Sequence, residues 1–363
     1  MKQNELHIMY GNDIGNMTYE LLEKIDIARD MRPDMRITLK PNFVVAKEAA
    51  SGATTHPEIA EAVLRYLLAH GMKHISIMEG SWVGDQTKRA FKICGYDKLS
   101  EKYHVPLYDL KDDKFVERQV ENLTLRICEK PLLETDYLID LPVLKAHCQT
   151  GMTCAMKNLK GCLPDVEKRR FHALGLSKPI ACLAKALRPQ LILVDAICGD
   201  LTFEEGGNSV RMDRIIAGVD PVLVDSYGAS LLGFAPEDIA YIKLAENLGV
   251  GSTDIAAADI HEYNTDAREK IRVVPSDRVR RLAKDVLVEN ACSACYGSLI
   301  HALQRIQESG GYCSDKQICI GQGFRGKGGD GLGIGQCTCG FRKSLAGCPP
   351  TAKAMVEFLR ENL

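Results

Sequence analysis

Seven of the fourteen cysteines fall between Cys292 and Leu363. Two of them make a Cys-x-x-Cys pair, Cys292 and Cys295, and a third, Cys348, stands in Gly347-Cys-Pro-Pro350. Two thiolates at that spacing can reach one metal centre from a single turn. Two further ligands are needed, and Cys313, Cys319, Cys337, Cys339 and Cys348 compete for the places. Cys348 is favoured because the two prolines after it lack N–H groups and stiffen the turn. Cys337 is favoured because it follows Gly331-Leu-Gly-Ile-Gly335, where the backbone can approach cluster sulfurs and donate N–H bonds to them. The expected centre is one [4Fe–4S] cluster on Cys292, Cys295, Cys337 and Cys348, with Cys339 open as a replacement for Cys337. Zinc is the rival ion, since four thiolates suit it tetrahedrally. Zinc ribbons, however, usually present two Cys-x-x-Cys knuckles, and the second half here is Cys337-x10-Cys348. The remaining cysteines read as buried free thiols.

A second set of polar residues follows short apolar runs, at the expected carboxyl ends of strands, where open α/β sheets bind ligands. Lys40 and Asn42 follow Ile37–Leu39, Glu79 follows Ile75–Met78, Lys145 and His147 follow Tyr137–Leu141, and Asp195 follows Leu191–Val194. Lys157 and Asn158, with Thr153 and Lys160, lie on an expected short helix over 151–160. Lys145, His147, Glu79 and Asp195 are the candidate catalytic groups, as acids, bases or ligands of a hard cation such as Mg²⁺. Lys40, Asn42, Lys157 and Asn158 are the candidate binding groups, and the lysines favour an anionic ligand. Taken singly, each has an ordinary reading: a strand-end Asp caps a turn, and a lone Lys is solvated. His56, His172 and Asp225 are weaker candidates.

The elements that would position these residues read as α/β. Residues 36–250 alternate apolar runs with stretches of helical period, which predicts a mainly parallel open sheet with helices on both faces. Helices are expected over 56–70, 85–94, 177–187, 220–232 and 236–248. Residues 251–277 are charged and weakly periodic, and read as a linker closing an α/β domain of 1–275. A basic-faced helix over 278–289 leads into a small C-terminal α+β cysteine-rich module, 278–363, with helices over 295–308 and 351–363 and a strand at Gln317–Ile320. Gly321-Gln-Gly-Phe-Arg-Gly326 matches a dinucleotide fingerprint, but more glycine follows it where a helix should open, so it is rejected as a nucleotide site.

With 45% apolar and 26% charged residues over 363 positions, a packed core is available throughout. A net charge of −2 gives nothing global to attract nucleic acid or an anionic membrane. Residues 292–363 carry eight Lys/Arg against five Asp/Glu, a surplus that would offset a thiolate-ligated cluster as readily as it would form a solvated face. There is no apolar leader and no run of eighteen apolar residues. A cytoplasmic protein is expected, in which cysteines stay reduced.

Lys40-Pro-Asn-Phe, Thr54-Thr-His-Pro57, Asp140-Leu-Pro-Val-Leu-Lys-Ala-His147, Met156-Lys-Asn-Leu-Lys-Gly161 and Asp220-Pro-Val-Leu-Val-Asp225 occur in that order. Together they resemble the family called domain of unknown function 362, over about residues 36–250. The resemblance implies an iron–sulfur module, commonly a ferredoxin-like one with repeated Cys-x-x-Cys knuckles. This chain has one such knuckle, so one cluster is expected. The family implies no particular reaction.

The expectation is thus an iron–sulfur protein, an oxidoreductase acting on a small anionic metabolite or cofactor precursor, with a redox protein as partner. The alternatives are a non-catalytic cluster carrier or electron-transfer partner, and a zinc-stabilised structural module. The sequence leaves a homodimer open.

Overall fold

The computed structural model describes residues 1–147, 149–200, 209–268, 281–291, 293–310 and 316–363, with the side chains of residues 293 and 294 outside the description. Cys292, Cys313 and Cys148 therefore lie outside the described residues. The chain divides into two compact units, taken separately here: Met1–Lys168 with Ser177–Pro275, and Arg169–Leu176 with Ser276–Leu363.

The first unit is mixed α/β. In chain order its strands are β1 (Glu5–Tyr10), β2 (Arg36–Pro41), β3 (His74–Glu79), β4 (Leu107–Asp109), β5 (Phe115–Val120), β6 (Leu123–Cys128), β7 (Tyr137–Leu141), β8 (Lys145–His147), β9 (Gly151–Thr153), β10 (Leu191–Asp200), β11 (Ser209–Gly218) and β12 (Asp259–Tyr263). Eight form one sheet in the order β12-β1-β11-β10-β7-β2-β3-β4. Only the two pairings of β11 in that sheet are antiparallel. The hairpins β5–β6 and β8–β9 stand apart from it. All ten residues of β10 are buried, as a strand in the middle of a covered sheet requires. The helix Pro57–Ala69 starts on a proline, whose fixed φ suits the first helical position, and it buries Ile59, Ala60, Val63, Leu64 and Leu67. The helix Pro221–Leu231 is capped by Asp220, whose carboxylate accepts from the N–H groups of Val222 and Leu223.

Several expectations need correction. The sheet begins before the stretch 36–250 from which it is read, with β1 at Glu5–Tyr10 paired to β11. The stretch read as a linker contains β12, which pairs in parallel with β1. Asp259-Ile-His-Glu-Tyr263 is an edge strand, and an edge strand can carry polar side chains on both faces. The expected helix over 151–160 is shorter: β9 takes its first residues, and the helix runs only Ala155–Asn158. β10 continues past Asp195 to Asp200 with an irregularity between Ala196 and Cys198, so Asp195 lies within the strand.

The second unit holds a four-stranded, all-parallel ladder: β13 (Val286–Val288), β14 (Ile318–Ile320), β15 (Leu332–Ile334) and β16 (Lys343–Leu345). β13 occupies part of the helix expected over 278–289. Helices Ser293–Glu308 and Ala352–Asn362 accompany the ladder. β14 and β15 are each followed by a positive-φ glycine, Gly321 (φ 125°) and Gly335 (φ 93°), and then a single 3-10 turn. That repeat accounts for the glycine-rich run, which forms strand ends and turns.

Candidate functional site

In the first unit the carboxyl ends of β2, β3 and β7 lie side by side. Lys40 and Asp140 are register partners on β2 and β7, and Glu79 ends β3. Lys40 Nζ donates to a carboxylate oxygen of Glu79, and also to the carbonyl of Pro41 at 3.0 Å and to Asn158 Oδ1 at 3.2 Å. Asn158 is the hub of the network. Its Oδ1 also accepts from Asn42 Nδ2 at 2.7 Å, and its Nδ2 donates to Asp140 Oδ1 at 2.8 Å. Asn42 Oδ1 accepts from Lys145 Nζ at 2.8 Å, and Lys145 also donates to the carbonyl of Ala53 at 2.6 Å. A continuous path therefore joins Lys145, Asn42, Asn158, Lys40 and Glu79, with Asp140 attached at Asn158. The helix bearing Asn158 is held at its start by Asp225, which accepts from the N–H groups of Ala155 at 2.7 Å and Met156 at 3.2 Å.

The network is shut away from water: Lys40, Asp140 and Lys145 are 0% exposed and Glu79 is 3% exposed. Burial pushes Asp140 up to about 8, against the pull of Lys40 and the Asn158 bond. Burial likewise pushes Asp225 up to about 7. Glu79 is raised by burial in spite of Lys40 beside it. For Lys40 burial works the other way, and the Glu79 carboxylate outweighs it, so the ammonium keeps its proton. Asp140 Oδ2 is buried without a hydrogen-bond partner among the described residues. An acid protonated at neutral pH is the form that such a position tolerates. Gly161 closes the site from one side: a Cβ there would lie 2.1 Å from Glu79 Oε1 and 2.7 Å from Lys40 Nζ. Lys168 caps the turn after β3, donating to the carbonyls of Gly80 at 2.8 Å and Ser81 at 3.0 Å.

The structure thus joins Lys40, Asn42, Glu79, Lys145 and Asn158. The other three residues singled out from the sequence have different partners. Asp195 accepts from His56 through both its backbone N–H and Nδ1, each at 2.8 Å, and from the N–H of Ile197 at 3.2 Å. Burial alone would lower His56, but the charge and hydrogen bond of Asp195 raise it. His147 lies at the turn of the β8–β9 hairpin, where its Nδ1 accepts from the N–H groups of Gln149 and Thr150 at 3.1 Å. Lys157 donates to Thr153 Oγ1 at 3.1 Å. Sequence reasoning passed over Asp140 and Lys168 as site residues. Asp140 had a signal, an acidic residue inside the apolar run Tyr137–Leu141. Lys168, on a polar helix, had none.

In the second unit β15 and β16 are parallel, so the segments after them, which contain Cys337 and Cys348, leave from the same edge. Cys295 is in the first turn of the helix Ser293–Glu308. The turns are tied together: Gly335 N–H donates to the carbonyl of Leu345 and Gln336 N–H to that of Gly347, both at 2.8 Å. A Cβ on Gly335 would lie 3.7 Å from Cys295 Sγ and 3.6 Å from the Gly347 carbonyl oxygen. Arg325 Nε donates to Cys337 Sγ at 3.4 Å. Cys295 and Cys337 are half-buried, and Cys339 and Cys348 are exposed. Cys319 is buried against Phe324 and Phe341, and burial raises its thiol. That placement matches the free-thiol reading.

Residues 37–230, which include every member of the buried network, match the family described as Domain of unknown function (DUF362). The chain belongs to this family. This DUF362 chain is also 26% identical over 234 residues to a thylakoid-associated protein of Synechocystis sp., spanning 61% of this chain and 71% of the relative. A crystal structure of a Thermotoga maritima protein aligns with a TM-score of 0.40 and 13% identity, covering 66% of this chain and 60% of that one. No helix among the described residues of this DUF362 chain is long and apolar enough to cross a membrane.

Proposed function

We propose that the unit containing residues 276–363 holds one [4Fe–4S] cluster on Cys292, Cys295, Cys337 and Cys348, and that the protein is a redox-linked enzyme. The observation that carries this reading is the position of Cys295 Sγ beside Gly335, in the turn that leads into Cys337 and whose N–H groups bond to the carbonyls of Leu345 and Gly347, just ahead of Cys348. Cys295 Sγ thus lies close to the turn that leads into Cys337, and that turn is bonded through its backbone to the one that leads into Cys348. Gly335 (φ 93°) and Gly347 (φ 140°) hold backbone that other residues rarely adopt. Arg325 supplies a cationic donor to the Cys337 sulfur. When bound, such a cluster supplies one-electron transfer. The exposure of Cys348 and Cys339 suits exchange with a redox partner at the surface.

The α/β unit is the substrate-binding part in this reading. Lys145, Lys40 and Asn42, buried in one bonded network, brace the strand ends against which a small anionic metabolite or cofactor precursor binds, and Asp140 holds a proton near neutral pH within that frame. Glu79 keeps Lys40 charged and fixed. The protein works in the cytoplasm, where its thiols stay reduced. Anaerobic titration with dithionite tests the redox part: the cluster bleaches on reduction, and a cluster that stays oxidised at every accessible potential rules the part out. A carrier role is favoured by the exposed Cys348. It would show as intact transfer of the cluster to an apo-acceptor, unaffected by Lys145→Ala.

A further inference from the structure

We propose that the β1–β12 edge of the sheet is a binding site for one divalent first-row transition-metal ion such as Zn²⁺, ligated by Glu5, His7, Asp259 and His261. The two strands run parallel, with Glu5 opposite Asp259 and His7 opposite His261. Residues two apart on a strand share a face, so these four side chains form a two-by-two grid on one side of the sheet. Glu5, Asp259 and His261 each offer a ligand atom within 4.8 Å of the others. His261 Nε2 is 3.4 Å from Asp259 Oδ2, and His7 Nε2 is 3.9 Å from Glu5 Oε2.

His7 is the independent pointer to a ligand. It is 8% exposed, and its Nε2 is buried with no hydrogen-bond partner among the described residues. The other ring nitrogen, Nδ1, is 2.9 Å from the hydroxyl of Tyr263. If Nδ1–H donates to that oxygen, Nε2 is left with a lone pair directed toward the Glu5 side. This is how a second partner fixes the tautomer of a metal-binding histidine. The ring stacks on His261, centroids 4.6 Å apart and planes 20° apart, an arrangement unfavourable for two imidazolium ions.

Two imidazoles and two carboxylates make a borderline donor set, suited to Zn²⁺ and its neighbours rather than to Mg²⁺ or Ca²⁺. The ion would fasten β12 to the sheet. It has to displace Lys2 Nζ, now 3.1 Å from Glu5 Oε1. Nothing in this inference depends on the cysteine unit.

Isothermal titration of the full-length protein with Zn²⁺ alone tests it, comparing wild type with His261→Ala and Asp259→Asn. Both changes are at part-exposed positions of an edge strand, and circular dichroism checks that each variant is folded. Any zinc held by cysteines is common to all three proteins and cancels. Wild type should take up one more equivalent than His261→Ala, or bind that equivalent at least about 10-fold more tightly, and Asp259→Asn should weaken it likewise. Equal stoichiometry and affinity in the three folded proteins would overturn the proposal.

Discussion

Lys40 and Glu79 form an ion pair at the carboxyl ends of adjacent parallel strands, with neither side chain more than 4% exposed. Two charges taken out of water lose hydration that only close mutual contact and further hydrogen bonds offset. Asn158, Pro41 and the N–H of Gly80 provide those bonds. Removing one partner should therefore cost more than removing both. Lys40→Met is expected to destabilise the protein by about 3–5 kcal/mol. Lys40→Met with Glu79→Leu should recover most of the loss. Urea unfolding of the three proteins measures the difference.

Gly161 makes room for that pair. A methyl group there would meet Glu79 Oε1 at 2.1 Å and Lys40 Nζ at 2.7 Å, both well inside contact distance. Gly161→Ala should lose about 1–3 kcal/mol through overpacking. Measured in a Glu79→Ala background, the cost of adding Gly161→Ala should shrink, because the clashing oxygens are then gone. Thermal unfolding of the single and double variants checks it.

Asp140 gives the stability a slope with pH. Its carboxyl is raised from an ordinary 3.8 to about 8 in the folded protein. Between those values the folded state holds a proton that the unfolded chain has released. The contribution is present in full below pH 4, declines as pH rises, and is gone above about 8. Asp225, raised to about 7, acts in the same direction. Asp140→Asn keeps an oxygen to accept from Asn158 and removes one titration. The variant should lose stability less steeply between pH 5 and 8, by about 1.4 kcal/mol per unit at most. Parallel slopes in denaturant unfolding at pH 5, 6.5 and 8 would contradict it.

Arg325 should tune the proposed cluster. A donor to a cysteine sulfur stabilises the reduced, more negative state and raises the potential. Arg325→Gln, which shortens the side chain and removes its charge, should lower the midpoint potential without changing the iron content. Spectroelectrochemistry reads the shift, and an unchanged potential would place Arg325 outside the electrostatics of the centre.

Much of the parallel sheet could be read from the sequence, because its central strands are short apolar runs bounded by polar residues. Lys40, Asn42, Glu79, Lys145 and Asn158 could be nominated together because they follow such runs. Their mutual bonds could not, since these depend on the register that sets Lys40 beside Asp140. β12 was hidden for a physical reason. An edge strand such as Asp259–Tyr263 is not obliged to be apolar, and its histidines and acids look like solvated loop. Of the cysteine ladder only β14, within the expected strand Gln317–Ile320, was legible: three-residue strands are too short to show a period, and the glycines between them resemble a loop. Asp195 followed an apolar run as the other candidates did, yet its oxygens accept from His56 and Ile197.

The cluster is the centre of the account, and iron and acid-labile sulfide analysis of anaerobically purified protein, read with its visible spectrum, tests it most directly. Wild type should contain close to four irons and four sulfides per chain with broad absorption near 400 nm, and Cys295→Ser and Cys348→Ser should each lose most of it while Cys319→Ser keeps it. One zinc per chain with no sulfide, or full iron and sulfide in the Cys348→Ser protein, would contradict the assignment.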